Sequence, residues 1–295
     1  MNYIYNLKEL NISFKNIDEL EAISIMKNKF SYYKLISYTC LFEKYNNGEK
    51  KGMFVNLDFS QLYFLAEIDS ILSYILMSMC LEIEKNLKAK IISDVESVCK
   101  SNVLFDEYYN SDFEYLESNY TLDMNDTIKR DRVLPKDMSL VEFLDVAQFG
   151  TIERFVHFFY NKHALNIYNS HLAPFESRLS SVRRIRNIVA HNNSIINKLT
   201  IKTEYKDYKM LSFLGKQGIK NRTLQTNMSK LIISDLCCFF DVYFNLANDQ
   251  TINNILCSFD EKYGEKVKNS FSNNDLINTS YSFIKKVLII YLNLF

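Results

Sequence analysis

Nine consecutive residues, Arg183-Arg184-Ile185-Arg186-Asn187-Ile188-Val189-Ala190-His191, carry three arginines, an asparagine and a histidine. The chain has eight arginines against twenty-seven lysines, and four of the eight (Arg178, Arg183, Arg184, Arg186) fall within nine positions. The abundance of Lys, Asn and Ile reads as a coding bias. Arginine retained in one place against that bias points to a task lysine cannot perform, such as forked, always-charged contact with phosphate. The histidine adds proton transfer, since an imidazole has a reference pKa of about 6.5. A helix C-terminus also favours its cationic form. Metal-free RNA cleavage needs a base to activate the ribose 2′-OH and an acid to protonate the leaving 5′-oxygen. It also needs a cation against the crowded phosphorane. His191 and Arg186 are residues of these types, and Asn187 is of the type that holds an imidazole or a phosphate oxygen.

Helix geometry constrains how they act. Asn187 and His191 are four apart and share a face, as do Arg184 and His191, seven apart. Arg186 is five from His191, roughly 140° away around a regular helix. For Arg186 and His191 to meet one phosphate, the helix must loosen near its end or the side chains must converge from two directions. The spacing by itself is equally that of a structural helix end with solvated arginines.

The elements that would position these residues are helices. Pro174 suits a first helical turn, Val182, Ile185, Ile188 and Val189 form an apolar face, and Asn192-Asn193 is a stop signal near His191. Upstream, Leu62, Leu65, Ile68, Leu72, Ile75, Met79, Ile83, Leu87 and Ile91 step by three and four, which predicts one long helix over 59–93. Glu67 and Asp69 in its first half and Lys85, Lys88 and Lys90 in its last match the helix dipole. Glu82 or Glu84 is a candidate to orient the arginines. Leu20, Ile23, Met26 and Phe30 predict one or two helices over 17–43. The segment Ser31–Tyr38 is aromatic and basic, fit either to stack on bases or to pack at a core edge. Residues 45–58, with Gly48 and Gly52, read as a turn. Residues 95–136 look less regular and acidic, ending in Lys129-Arg130-Asp131-Arg132 and Pro135, a hinge or insertion. Ser139 and Glu142 form a capping box, and Phe149-Gly150-Thr151 is expected to break the helix that follows. Residues 195–226 are polar and mixed. Further helices are expected over 231–246, 252–267 and up to Phe295.

Composition narrows the class. Apolar residues make up 47%, with only two prolines and six glycines, which excludes a disordered chain and disfavours an all-β fold. The expectation is all-α. A formal net charge of zero excludes general nucleic-acid packaging but not a local RNA site. The six cysteines form no C-x-x-C pair and read as buried free thiols, not zinc ligands. His157 and His163 read as ordinary surface or core-edge residues. No basic region followed by an apolar stretch opens the chain, and the apolar runs at 71–81 and 287–295 are shorter than a membrane helix requires. The expectation is a cytoplasmic protein without a membrane partner, cofactor or metal.

Arg186-Asn187-Ile188-Val189-Ala190-His191 resembles the R-N-x-x-x-H signature of the HEPN superfamily of all-helical ribonucleases. The surroundings resemble one branch, the bacterial abortive-infection proteins of the AbiD/AbiF type. Ser31-Tyr32-Tyr33-Lys34-Leu35-Ile36-Ser37-Tyr38 is similar to that branch's N-Y-Y-R-L-x-x-Y segment. Leu62-Tyr63 through Ile83-Glu84-Lys85-Asn86-Leu87-Lys88 is similar to its long helix ending in I-E-x-x-L-R. Phe149-Gly150-Thr151-Ile152 is similar to its F-G-T-L turn. The four segments occur in the expected order over about residues 15–200. Three positions depart from the pattern: Asn192 stands for a second histidine, Ser194 for an arginine and Lys88 for an arginine.

The resemblance implies a HEPN-like helical bundle with additional N- and C-terminal helices. The expected divisions are an N-terminal segment over 1–58, a core over 59–200 and a C-terminal segment over 201–295 on the same globule. It implies phage defence or toxin activity, RNA as substrate, and an RNA antitoxin as a possible restraint. Catalysis would fall to Arg186, Asn187 and His191, and RNA binding to Arg178, Arg183, Arg184, Lys88, Tyr33 and Lys34. One motif per chain cannot readily give both acid and base, so a homodimer facing its helices over 174–191 is expected. Two other readings stand beside this one: an RNA-binding module without catalysis, and a purely structural or protein-interaction role.

Overall fold

The computed structural model describes residues 3–98, 101–112, 116, 139–163 and 175–294. Among these the regular structure is helical and there is no strand, only three isolated bridges. The fold is all-α. In chain order the helices are α1 (Tyr3–Glu9), α2 (Glu19–Asn28), α3 (Tyr32–Ser37), α4 (Phe59–Val98), α5 (Ser101–Ser111), α6 (Leu140–Val146), α7 (Phe149–His163) and α8 (Leu179–Ala190). They continue with α9 (Tyr208–Lys216), α10 (Asn221–Met228), α11 (Leu231–Leu246), α12 (Gln250–Ser270) and α13 (Asp275–Leu292). Short 3₁₀ turns cover Tyr38–Leu41, Glu176–Arg178 and Ile196–Thr200. Contacts group the chain into two compact units, residues 1–80 with 184–295, and residues 81–183.

In the first unit α11 is apolar nearly all round and is buried from Ile232 to Phe244, as a helix without a polar face must be. Its partners include α13 and the turn Ile196–Thr200. Phe244 stacks on Tyr291 with ring centroids 5.3 Å apart. Two carboxylates, Asp235 and Asp241, are buried on α11, and each needs a donor to offset its desolvation. Tyr291 Oη supplies one to Asp241 at 2.7 Å. The first half of α4 adds Leu62, Leu65, Ile68, Ile75 and Met79 to this core. The loop before α4 turns on Gly48 and Gly52, at φ of 79° and 85°, where a side chain would be strained.

The second unit is a smaller core with many aromatic rings. The second half of α4 buries Ile83, Leu87, Ile91 and Val95, and α5 adds Leu104, Phe105 and Tyr108. Phe105 meets Phe143 at 4.8 Å and Tyr108 meets Phe155 edge-on at 5.0 Å. Tyr160 Oη donates to buried Asp94 at 2.7 Å. The capping box at the start of α6 is present: Ser139 Oγ accepts from the Glu142 amide, and Glu142 accepts from the Ser139 amide.

Several expectations need correction. The segment 17–43 is three pieces, α2, α3 and a 3₁₀ turn. On α2 the buried residues are Ala22 and Ile25, while Leu20 and Ile23 are 80% and 48% exposed. Residues 95–98 and 101–111 are helical, because Val95, Leu104, Phe105 and Tyr108 supply a buried face. The acids there are solvent-side partners, Asp112 of Arg154 and Glu107 of Lys162. Residues 129–132, Pro135 and Pro174 lie outside the described residues. The break between α6 and α7 is at Ala147-Gln148, where Ala147 is extended. Gly150 and Thr151 lie in the first turn of α7, whose amides at 151 and 152 bond to the Gln148 carbonyl. Residues 208–216 and 221–228 form regular helices, α9 being capped by the Asp207 carboxylate on the Met210 amide. Of the described thiols, Cys80, Cys237 and Cys238 are buried but Cys40 and Cys257 are exposed. Finally, α4 meets the length and composition of a membrane-crossing helix over one window of mean hydropathy 1.6. Half of that window is buried inside the protein.

Candidate functional site

Helix α8 buries Val182, Ile185 and Val189, three positions on one side at helical spacing. That orientation turns Arg184, Asn187 and His191 outward, and all three are exposed. Arg186 lies on the flank of the buried stripe and is half-buried.

The end of α8 is sharply defined. The Asn193 amide bonds to the Ile188 carbonyl at 3.0 Å and the Asn192 amide to the Val189 carbonyl at 3.1 Å. Asn192 has φ of 51°. These bonds and that left-handed residue make a Schellman motif with His191 as the C-cap. The expected Asn192-Asn193 stop is present, and asparagine at 192 has a physical reason, because it tolerates the left-handed conformation. The helix does not loosen earlier, since the His191 amide still reaches the Asn187 carbonyl at 3.2 Å. Within one chain, therefore, Asn187 and His191 share a face while Arg186 points about 140° away.

The carboxylates around the cluster sort its arginines. Arg184 grips Asp235 of α11 with both fork nitrogens, Nε to Oδ2 at 2.9 Å and Nη2 to Oδ1 at 2.7 Å. Arg183 Nε lies 2.8 Å from Oε2 of Glu153, a buried residue of α7. Gly150 sits beneath the Arg183 stem, where a Cβ would lie 3.4 Å from Arg183 Cδ. Arg186 forms no ion pair with any described residue, which leaves its guanidinium available to an incoming anion. Glu82 and Glu84, the acids expected to orient the arginines, pair instead with Lys85 at 2.5 Å and Lys88 at 3.1 Å.

The segment after His191 is held by a buried carboxylate. Asp69 of α4 is fully buried. Its Oδ1 accepts the amides of Ile195 and Ile196, each at 3.0 Å. Its Oδ2 accepts Tyr38 Oη at 2.7 Å and Lys34 Nζ at 3.4 Å. Lys34 Nζ also reaches the Asn192 carbonyl at 3.4 Å. Ser194 Oγ accepts the Asn197 amide at 3.1 Å. Burial, followed by the negative charge of Asp69, raises the Tyr38 phenol above its ordinary value, so it stays a donor. The clamp thus holds the chain that leaves His191, at Asn192, Ile195 and Ile196. A buried carboxylate is tolerated only when donors replace water, and here four donors do so.

The remaining expected binding residues are dispersed. Tyr33 is 66% exposed on α3, whereas Tyr38 of the same segment is in the core, so the segment divides between the two roles considered for it. Lys34 is committed to the Asp69 clamp and its side chain is only 19% exposed. Lys88 is tied to Glu84, and Arg178 ends the 3₁₀ turn before α8. His157 Nδ1 lies 2.5 Å from Glu176 Oε1, and its Nε2 lies 3.8 Å from Glu153. The His163 side chain lies outside the described residues. Among the described residues no group of three or more His, Cys, Asp or Glu could hold a metal ion.

The sequence reading missed Glu153 and Asp235, and it named Asp69 and Tyr38 without finding the clamp they form. The available signal was an acid inside an otherwise apolar stripe, at Asp69 between Ile68 and Leu72 and at Asp235 within the run 231–246. A family model described as "Abi-like protein" matches residues 26–197, which covers α3 through the motif and its clamped flank. No curated protein and no solved structure matches the chain. The matched span is more than half of the 295 residues, and the chain belongs to the Abi-like protein family, a membership that suggests abortive-infection phage defence.

Proposed function

We propose that the protein is a metal-independent endoribonuclease of abortive infection, acting as a homodimer and restrained by a partner RNA. The observation that carries the reading is the state of the motif. Arg186 has no described carboxylate partner although Arg183 and Arg184 do, and Asn187 and His191 stand exposed side by side on a rigidly terminated helix. His191 takes the proton of a ribose 2′-OH, the 2′-oxygen attacks phosphorus, and the P–O5′ bond breaks. His191 of a second copy, as imidazolium, gives its proton to the departing 5′-oxygen. Arg186 balances the charge on the phosphorane, and Asn187 positions the imidazole or a phosphate oxygen. The products are a 2′,3′-cyclic phosphate and a 5′-hydroxyl.

The divergence of Arg186 and His191 on one helix motivates the second copy, because two motifs face to face bring an arginine of one to the histidine of the other. The same divergence favours a second reading, a non-catalytic RNA-binding module of the same superfamily. Cleavage of RNA by wild-type protein and by His191→Ala decides between them. The nuclease reading expects the variant to bind RNA and leave it intact. Equal cleavage by both proteins refutes it. Tight, salt-sensitive binding by both with cleavage by neither favours the module.

A further inference from the structure

A cleft of about 310 Å³ lies between α10 and α13, lined by Arg222, Thr223, Thr226 and Asn227 on one side and Thr279, Ser282, Phe283 and Lys286 on the other. The chain has as many acids as bases, 35 of each, yet no carboxylate lines this cleft. Neither Arg222 nor Lys286 forms an ion pair with a described residue. Half of the described arginines differ: Arg154, Arg183 and Arg184 each hold a carboxylate. The hydroxyls of Thr223, Thr226 and Ser282 donate to no described group. The first turn of α10 begins at Asn221 with no side-chain cap, so the positive end of that helix carries Arg222 and Thr223 at its start.

Behind Asn227 of the cleft wall lies a buried lysine, Lys230. Lys230 is 3% exposed. Its ammonium donates to Asn227 Oδ1 at 3.0 Å and to Ser280 Oγ at 2.8 Å, both neutral. Burial, with the like charge of Lys202, pushes it down to about 8. A buried ammonium held by neutral groups lacks a counter-ion, and Asn227, one of the two residues it bonds, is part of the cleft wall.

We infer that this cleft is a second anion site, distinct from the His191 motif, which takes a phosphodiester of single-stranded RNA between Arg222 and Lys286. The inference rests on the RNA reading of the preceding section. Arg222 offers two donors in a fork to one phosphate, Lys286 closes the other side as a point charge, and the hydroxyls of Thr223, Thr226 and Ser282 fill the remaining acceptor directions. Nothing in the cleft reads a base, so the contact holds RNA by its backbone and confers no sequence preference.

The test uses a short, non-cleavable 2′-O-methyl oligoribonucleotide and the full chain carrying Arg222→Glu with Lys286→Glu. Both side chains are exposed, and a melting curve checks that the fold persists. Arg222→Ala with Lys286→Ala serves as the milder pair. The expected result is a 10- to 100-fold weaker Kd for the reversed pair, a smaller loss for the alanine pair, and a salt slope reduced by roughly 0.7 for each phosphate contact removed. Reversal of Lys50 and Lys51, in the loop before α4, leaves both quantities unchanged. An unaltered Kd and slope in the Arg222/Lys286 variants overturns the inference, and so does an oligonucleotide that fails to bind wild-type protein. Saturable binding of inorganic phosphate that the variants lose while RNA binding persists also overturns it, making the occupant a free anion. Cleavage by wild type that His191→Ala abolishes leaves the nuclease reading standing in each of these cases, so the two failures are distinguishable.

Discussion

Asp69 Oδ1 and the amide nitrogen of Ile195 lie 3.0 Å apart, a bond across the fold that fixes the chain four residues beyond His191. Ile196 donates to the same oxygen, and Lys34 reaches both Asp69 and the Asn192 carbonyl. The C-cap histidine is therefore held from one side by its own helix and from the other by this clamp. Asp69→Asn retains an acceptor for the two amides but loses the charge that holds Lys34 and Tyr38. Asp69→Ala loses both. RNA cleavage is expected to fall in kcat by about 10-fold for Asn and 100-fold or more for Ala, with KM nearly unchanged. Hydrogen exchange over 188–197 should speed up in the same order. Normal turnover in a folded Asp69→Ala protein would show that the clamp does not position His191.

The arginines divide into structural and available ones. Arg184→Ala removes the bidentate partner of Asp235, whose side chain is 4% exposed. Loss of about 1–3 kcal/mol of stability is expected, discounted because Arg184 itself is partly exposed. Arg186→Ala breaks no ion pair with a described residue and should change stability by less than about 0.5 kcal/mol while lowering cleavage at least 100-fold. Denaturant melts of both variants beside a cleavage assay separate the two. Equal destabilisation would show that Arg186 is structural.

Much of this arrangement was legible in the sequence. The long stripe from Leu62 to Ile91, the Ser139/Glu142 capping box and the stop at Asn192-Asn193 are local patterns, and local patterns specify local structure. Leu20, Ile23 and Met26 misled because two apolar stripes coexist on α2, and period alone cannot say which one meets the core. Ala22 and Ile25 do. Asp69 was read as an acid complementing the helix dipole. Its actual partners lie 31 to 127 residues away, and no periodicity encodes a partner at that distance. For the same reason the sequence offers Glu82 and Glu84 as partners for the arginines, whereas Glu153 and Asp235 are the acids that meet them.

Asn192 occupies the left-handed position that ends α8, at φ of 51°. Asn192→Gly should be neutral or stabilising by a few tenths of a kcal/mol, and Asn192→Ile should cost about 1–2 kcal/mol. Chemical denaturation measures both. An isoleucine variant as stable as wild type would contradict the Schellman assignment.

Lys230 makes stability pH-dependent. Its folded value of about 8 lies below the unfolded value of about 10.4. The unfolded chain therefore binds more protons between those values, and stability rises with pH across that window. Relative to Lys230→Met, wild type should gain roughly 1–3 kcal/mol between pH 7.5 and 10. Comparison with the variant removes the tyrosines that titrate at the upper end. A constant difference between the two melting profiles would show that the buried ammonium is not depressed.

The central claim is phosphodiester cleavage by His191 and Arg186 without a metal. The most direct measurement is end-group analysis of RNA incubated with the wild-type protein in excess chelator. The account predicts 2′,3′-cyclic phosphate and 5′-hydroxyl ends, absent with His191→Ala. Products with 3′-hydroxyl and 5′-phosphate ends, cleavage that stops with chelator, or no cleavage by wild type would contradict it.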